Sequence, residues 1–294
     1  MPAQLSHKGT HWLGTFNAMA SQCEILIDTN DKSLAKSALL AAEKEAIRIE
    51  QKYSRYKKNN IIYKINNANG KSISIDEETA RLLNYAQQCY ELSDGLFDIT
   101  SGVLREAWKF DGSDNIPEPA LVSAILNRVG WDKIKWENPK LTLQPGMQLD
   151  FGGIGKEYAV DRTAAIIAKQ FTNNVLVNFG GDITAAGPRQ NGDAWEIGLQ
   201  DPEKHNSVVA NIALVKGAVA TSGDLNRFLL KDQVRYTHIL NPQTGWPVKK
   251  APRQVTVLAG TCIDAGMLST FAILQGEQAE EFLKAQDIEY RIIL

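Results

Sequence analysis

The sequence predicts a mixed α+β protein folded as a single compact unit. Three observations support that class. Helical-period stretches and short apolar strands are interleaved, but without the steady strand–helix–strand alternation of a doubly wound parallel sheet. No internal repeat, low-complexity linker or break in composition divides the chain. Its 294 residues, 44% of them hydrophobic, suffice for a sizeable buried core.

The elements follow in order. Residues 1–13 read as an N-terminal tail, and 14–294 as the folded unit. "TFNAMASQCEILI" (15–27) reads as an extended segment ending in an apolar strand. "SLAKSALLAAEKEAIRIEQKYSRY" (33–56) is rich in Ala, Leu, Glu and Lys at helical spacing. "DEETARLLNYAQQCYELS" (76–93) is a second helix, whose acidic start suits the positive end of the helix dipole. "EPALVSAILNRVG" (118–130) is a short helix ended by Gly130. "KLTLQPGMQLDFGGIG" (140–155) reads as a hairpin running into a glycine turn, with a helix after it over 156–171. "NNVLVNFGGDITAAG" (173–187) is a buried strand that breaks at paired glycines. Strands follow at "AWEIGLQDP", "SVVANIALVKGAVATSG", "RYTHILNP" and "QVTVLAG". Helices over 261–274 and 277–286 and a closing strand, "EYRIIL", complete the chain.

Composition excludes several function classes. The net charge of −2 gives no basic field for nucleic acid or an acidic membrane surface. Cys23, Cys89 and Cys262 are odd in number, far apart and outside any CxxC pattern, so neither a disulfide framework nor a zinc site is predicted. No apolar run reaches the length of a membrane span. The first residues, "MPAQLSHKGTHWLG", lack the apolar core of a signal peptide, which predicts a cytoplasmic protein, or a periplasmic one if a leader has been removed.

Several stretches can carry chemistry, and each has a purely structural counterpart. In "LDFGGIGKEYAVDR" (149–162) a strand ends, glycines turn and a helix begins near Lys156. Such a junction offers free N–H groups and a positive dipole end to an anion, with Lys156 adding a point charge. It also serves as a plain strand–helix turn. "NFGGDITAAG" (178–187) allows close backbone approach to a ligand, or is a sharp bend capped by Asp182. "ATSGDLNRF" (220–228) is a further polar turn. His238 precedes the turn signal "NPQTG", where a general base is well placed, although a lone histidine in a strand is more often a packed structural residue. In "SDGLFDITSG" (93–102), Phe97 and Asp98 can flank a planar ligand or simply close a helix.

Taken in order along the chain, "MAS" (19–21), "YSRY" (53–56), "GLFDITSG", "DFGGIGKEYAVD", "NFGGD", "ATSGD", "THILNPQTGWPV" and "AGMLST" resemble the ApbE family of FAD:protein FMN transferases. The resemblance runs from about residue 14 to 294, and HILNPxTG and DFGGIGK are its most specific parts. It implies an α+β architecture related to the T-fold, FAD as substrate and Mg²⁺ as cofactor. The implied reaction cleaves FAD, joins FMN through a phosphoester to a threonine of an acceptor flavoprotein, and releases AMP. By the same resemblance Met19, Tyr56, Leu96, Phe97, Asp98, Asp150, Lys156 and Ile239 contact the flavin nucleotide. The Gly153 carbonyl and Thr270 bind the metal, and His238 deprotonates the acceptor threonine.

The sequence departs from the family pattern at three places. Ala20 and Ser21 stand where Gly and Thr are usual, Glu157 where Gly is frequent, and Gly266 where an aspartate metal ligand is expected. Asp264 does not substitute for that aspartate. Residues two apart on a helix point roughly 200° apart, and Thr261 with Asp264 instead fits a capping box. A water, or Asp182, is left to fill the gap. The alternatives to a transferase are therefore a non-catalytic FAD-binding homologue with a weakened metal site, and a metal-dependent FAD pyrophosphatase.

Overall fold

The computed structural model describes residues 3–201, 207–224 and 228–294, so part of "ATSGDLNRF" (225–227) and the end of "AWEIGLQDP" lie outside the described residues. An eight-stranded sheet organises it. Its strands are β1 (Gln4–His7), β2 (Trp12–Ala18), β3 (Ser21–Ile27), β7 (Val175–Phe179), β8 (Asp182–Ala185), β11 (Gly217–Gly223), β14 (Gln254–Ala259) and β15 (Tyr290–Ile293). They lie side by side in that order, and each neighbouring pair is antiparallel. Three smaller sheets stand beside it: β4 (Ile73–Ser74) with β6 (Lys140–Thr142) and β5 (Lys135–Glu137), β9 (Trp195–Gln200) with β10 (Val208–Leu214), and β12 (Phe228–Lys231) with β13 (Val234–Thr237).

The helices are α1 (Lys32–Tyr53), α2 (Ile61–Asn66), α3 (Glu77–Leu92), α4 (Pro119–Leu126), α5 (Gly155–Gln170), α6 (Cys262–Leu274) and α7 (Ala279–Ala285). Side chains alternate across a strand, so the main sheet has two apolar faces. On one, Cys23, Ile25, Ile27, Val175 and Val177 join Ala38 and Leu39 of α1, Ala159 of α5 and Ala265 of α6. On the other, Leu176, Ile183 and Val219 pack with Trp195, Ile197 and Leu199 of the β9–β10 ribbon. A third cluster unites Val103, Leu104, Trp108, Val122 of α4 and Leu229 of β12.

Local chemistry explains the helix starts. Asp31 accepts from the Ser33 and Leu34 N–H groups, Asp76 from Thr79 N, and the Thr261 hydroxyl from Asp264 N. Thr261 is the N-cap of α6 as expected, and Asp264 at the third helical position accepts the Thr261 hydroxyl proton at 2.5 Å rather than its backbone N–H.

Four sequence expectations need correction. Residues 4–7, inside the expected tail, form β1 along β2; "QLSH" carries no apolar signal because backbone pairing to an edge holds it. Residues 15–27 are not one extended segment but the hairpin β2–β3, turning at Met19–Ala20 without a glycine or asparagine to mark it. Residues 140–155 do not form a hairpin: β6 pairs with β5 and β4, and the chain after Thr142 leaves the sheet through a Pro145–Gly146 turn. The helix predicted over 118–130 stops at Leu126, and Gly130 at φ 141° begins a separate short turn.

The site is prepared at one end of the main sheet. The β2–β3 turn, the β7–β8 turn and the last residues of β11 all emerge there, since Cys23 pairs with Phe179 and Val219 with Ile183.

Candidate active site

Segment 94–102 is folded around a buried carboxylate. Asp98 accepts from Thr100 N and Thr100 Oγ1, both at 2.7 Å, and from Trp131 N at 2.9 Å. Burial pushes its carboxyl up from the usual value and outweighs these hydrogen bonds. Leu96 is half-buried and Phe97 buried, and the Phe97 ring packs against Phe271 of α6 at 5.9 Å.

The glycine turn before α5 is pinned to that segment. Asp150 N donates to the Ile99 carbonyl at 2.8 Å, and Asp150 Oδ1 accepts from Gly152 N at 2.9 Å. A Cβ on Gly153 would lie 3.1 Å from the Phe97 ring, a tighter contact than side chains ordinarily make, which glycine avoids. Arg55 reaches the Asp150 carboxylate at 3.2 Å and Arg105 at 3.9 Å. Tyr56 stands exposed beside them, its hydroxyl accepting a hydrogen bond from Arg105. The sequence reading missed both arginines, although Arg55 lies inside the quoted "YSRY".

The third segment is the turn after β13. Asn241 Oδ1 accepts from Gln243 N at 2.8 Å and Thr244 N at 3.2 Å, and Gly245 closes the turn at φ 75°. Gln243 Nε2 donates to the Asp94 carbonyl at 2.8 Å, which joins this turn to segment 94–102. A cavity of about 250 Å³ lies between them, lined by Gly95, Asp98, Gly130, Pro242 and Gln243. His238, half-buried, faces the edge of Phe110 at 6.3 Å, and Ile239 packs on the main core.

Met19 sits in the β2–β3 turn beside a cavity of about 460 Å³ that Asn17, Ser21, Gln22 and Glu50 also line. Met19 and Ala20 both have positive φ, 53° and 56°, in a turn that favours glycine. Ala20, which unlike glycine carries a Cβ into this region, is thus strained by about 1 kcal/mol. Ala20→Gly is expected to raise the unfolding midpoint, measured by thermal denaturation; an unchanged or lower midpoint would contradict the strain.

The last group joins α5, β8, β11 and α6. Lys156 Nζ pairs with the buried Asp182 carboxylate at 2.7 Å. Burial lowers the Lys156 pKa, but the Asp182 and Glu157 carboxylates outweigh it and hold it above the ordinary value. Asp182 therefore does not cap its bend; Asn178 does, accepting from Gly181 N at 2.8 Å. Glu157 Oε2 and Asp182 Oδ2 are both buried, neither receiving a hydrogen bond from an N–H group or hydroxyl apart from the Lys156 ammonium on Asp182, and burial with the neighbouring Asp182 pushes the Glu157 carboxyl well up. A Cβ on Gly266 would lie 2.6 Å from Glu157 Cγ, so the glutamate side chain occupies the space beside that glycine. Thr270, one helical turn on, shares hydrogen bonds with Ser222 Oγ at 3.0 Å, and Ser222 also meets Ser269 at 2.8 Å. Asp161 of α5 fixes the start of α6, accepting from Cys262 N at 2.9 Å and Ile263 N at 3.0 Å.

Among the described residues no three His, Cys, Asp or Glu side chains gather as a metal cluster. The available donors are mixed: a carbonyl, hydroxyls and carboxylates. That set suits a hard cation such as Mg²⁺, which uses one or two carboxylates and keeps waters for its other positions.

The model of the ApbE family matches residues 19–292. The chain belongs to the ApbE family. An ApbE protein from Thermotoga maritima is 31% identical and superposes with a TM-score of 0.84 over 96% of this chain and 94% of its own. The flavin transferase ApbE from Vibrio cholerae is 25% identical with a TM-score of 0.83, covering 99% of this chain and 94% of its own. A Haemophilus influenzae protein named FAD:protein FMN transferase is 30% identical over 242 residues, 78% of this chain and 70% of the relative. In this ApbE-family chain Glu157 and Gly266 are neighbours in space.

Proposed function

We propose that the chain is an FAD:protein FMN transferase, which joins FMN from FAD to a threonine hydroxyl of an acceptor flavoprotein and releases AMP. The observation that carries this reading is the convergence of three turn segments, around Phe97, Gly153 and Gln243, in a chain of this family. Met19, Tyr56, Leu96, Phe97 and Ile239 offer apolar and aromatic surface to a flavin. Asp98 and Asp150 hold their turns in place for the nucleotide.

The chemistry follows from the groups available. The threonine oxygen bonds to the FMN-side phosphorus of FAD, and the bond from that phosphorus to the bridging oxygen breaks. AMP leaves with that oxygen, and the threonine proton passes to the His238 imidazole. Lys156 and the N–H groups at the start of α5 favour anionic phosphate there. The Gly153 carbonyl and Thr270 hydroxyl would hold Mg²⁺, which supplies charge neutralisation on phosphate oxygens when bound.

The alternative of a weakened, non-catalytic site rests on Gly266, yet a carboxylate, that of Glu157, stands beside it. Chromatography of nucleotides separates the readings. A transferase releases AMP in step with an acceptor; AMP with free FMN, acceptor or not, would identify a pyrophosphatase, and intact FAD would identify a binding protein.

A further inference from the structure

We propose that Glu157 is the carboxylate ligand of a divalent-cation site formed with Thr270 and the Gly153 carbonyl, a role that the side-chain-less Gly266 leaves open. It rests on the transferase reading for the use of the cation, not for its binding.

Four observations converge on Glu157. Its Oε2 is buried and has no polar partner besides the neighbouring Asp182 carboxyl, whose own Oδ2 has only the Lys156 ammonium at 2.7 Å, although a buried carboxylate oxygen ordinarily has a donor of its own. The cation nearest in sequence, Lys156, is already paired with Asp182 at 2.7 Å, so the pocket holds more carboxylate than ammonium. The Glu157 side chain lies where a side chain from position 266 would begin, with Cγ 2.6 Å from that Cβ position. Position 266 is one turn before Thr270, and residues four apart share a helix face with about 5–6 Å between Cβ atoms. Glu157 thus presents its carboxylate to the face of α6 that carries the Thr270 hydroxyl, itself hydrogen-bonded to Ser222. The Gly153 carbonyl belongs to the turn that opens α5, the helix of Glu157. A cation at this place would satisfy the orphaned oxygen with the oxygen chemistry that Mg²⁺ or Mn²⁺ takes.

The same geometry makes positions 157 and 266 reciprocal. An aspartate at 266 collides with Glu157, whereas removing the glutamate side chain opens room for it. The carboxylate can therefore come from α5 or from α6, but not from both without rearrangement.

The test titrates Mn²⁺ alone, without FAD, into the full chain and reads the free-ion electron paramagnetic resonance signal. Wild type is expected to bind Mn²⁺ saturably. Glu157→Gln, which keeps the shape, is expected to weaken binding by about 10-fold or more. Glu157→Gly with Gly266→Asp is expected to restore most of the affinity, and Gly266→Asp alone to lower the thermal midpoint without tighter binding. Circular dichroism checks that each variant is folded. No saturable binding by wild type, or Glu157→Gln binding as wild type does, overturns the proposal. Intact Mn²⁺ binding without FMN transfer would instead sink the transferase reading and leave the cation ligand standing.

Discussion

Replacing Lys156 with methionine lowers the stability of the fold by about 3 kcal/mol, the loss expected when one partner of a buried ion pair is removed. The Asp182 side chain is 4% exposed and its ion pair to Lys156 spans 2.7 Å, so the variant strands a buried charge. Glu157 lies against the same pair, its own carboxyl held well above the usual range by burial. The estimate stays at the low end because 29% of the lysine side chain reaches solvent. Urea unfolding measures it. Adding Asp182→Asn to the same chain should recover part of the loss, since the stranded charge is then gone. Equal stability of wild type and Lys156→Met would mean that the pair contributes nothing.

His238→Ala lowers the rate of FMN transfer by about 10²- to 10⁴-fold, the usual contribution of a positioned general base. FAD affinity changes little, because the proposed role of the imidazole is toward the acceptor proton. His238 is half-buried just after β13 and is not a member of the cluster built on Trp108, Val122 and Leu229, so truncation leaves that core in place. The informative result is a fall in kcat with an unchanged FAD dissociation constant, from single-turnover kinetics and flavin fluorescence titration. A parallel loss of FAD binding would assign His238 to the nucleotide instead.

Much of the fold was legible because its signals are local. Helix α1 announces itself by composition and period, α3 by Asp76, and α6 by Thr261 and Asp264. What escaped was what only partners decide. β1 is a strand because β2 lies beside it, and the Met19–Ala20 turn lacks the residues that normally mark such turns. The same division holds for the site. The glycine turns and the histidine before "NPQTG" stand out in sequence, and the family pattern gives them order. Arg55, Arg105 and Ser222 escaped because their partners, Asp150 and Thr270, are distant in the chain. Glu157 and Gly266 were each visible as departures from the pattern. Only the packing of α5 on α6, fixed by Asp161, shows that one fills the space of the other.

The most direct measurement is the mass of an acceptor protein carrying an exposed threonine, after incubation with this chain, FAD and Mg²⁺. The account predicts an acceptor heavier by one FMN less water, with the addition mapped to that threonine and AMP formed in equal amount. An acceptor of unchanged mass, whether FAD stays whole or is cleaved to free FMN and AMP, would contradict it.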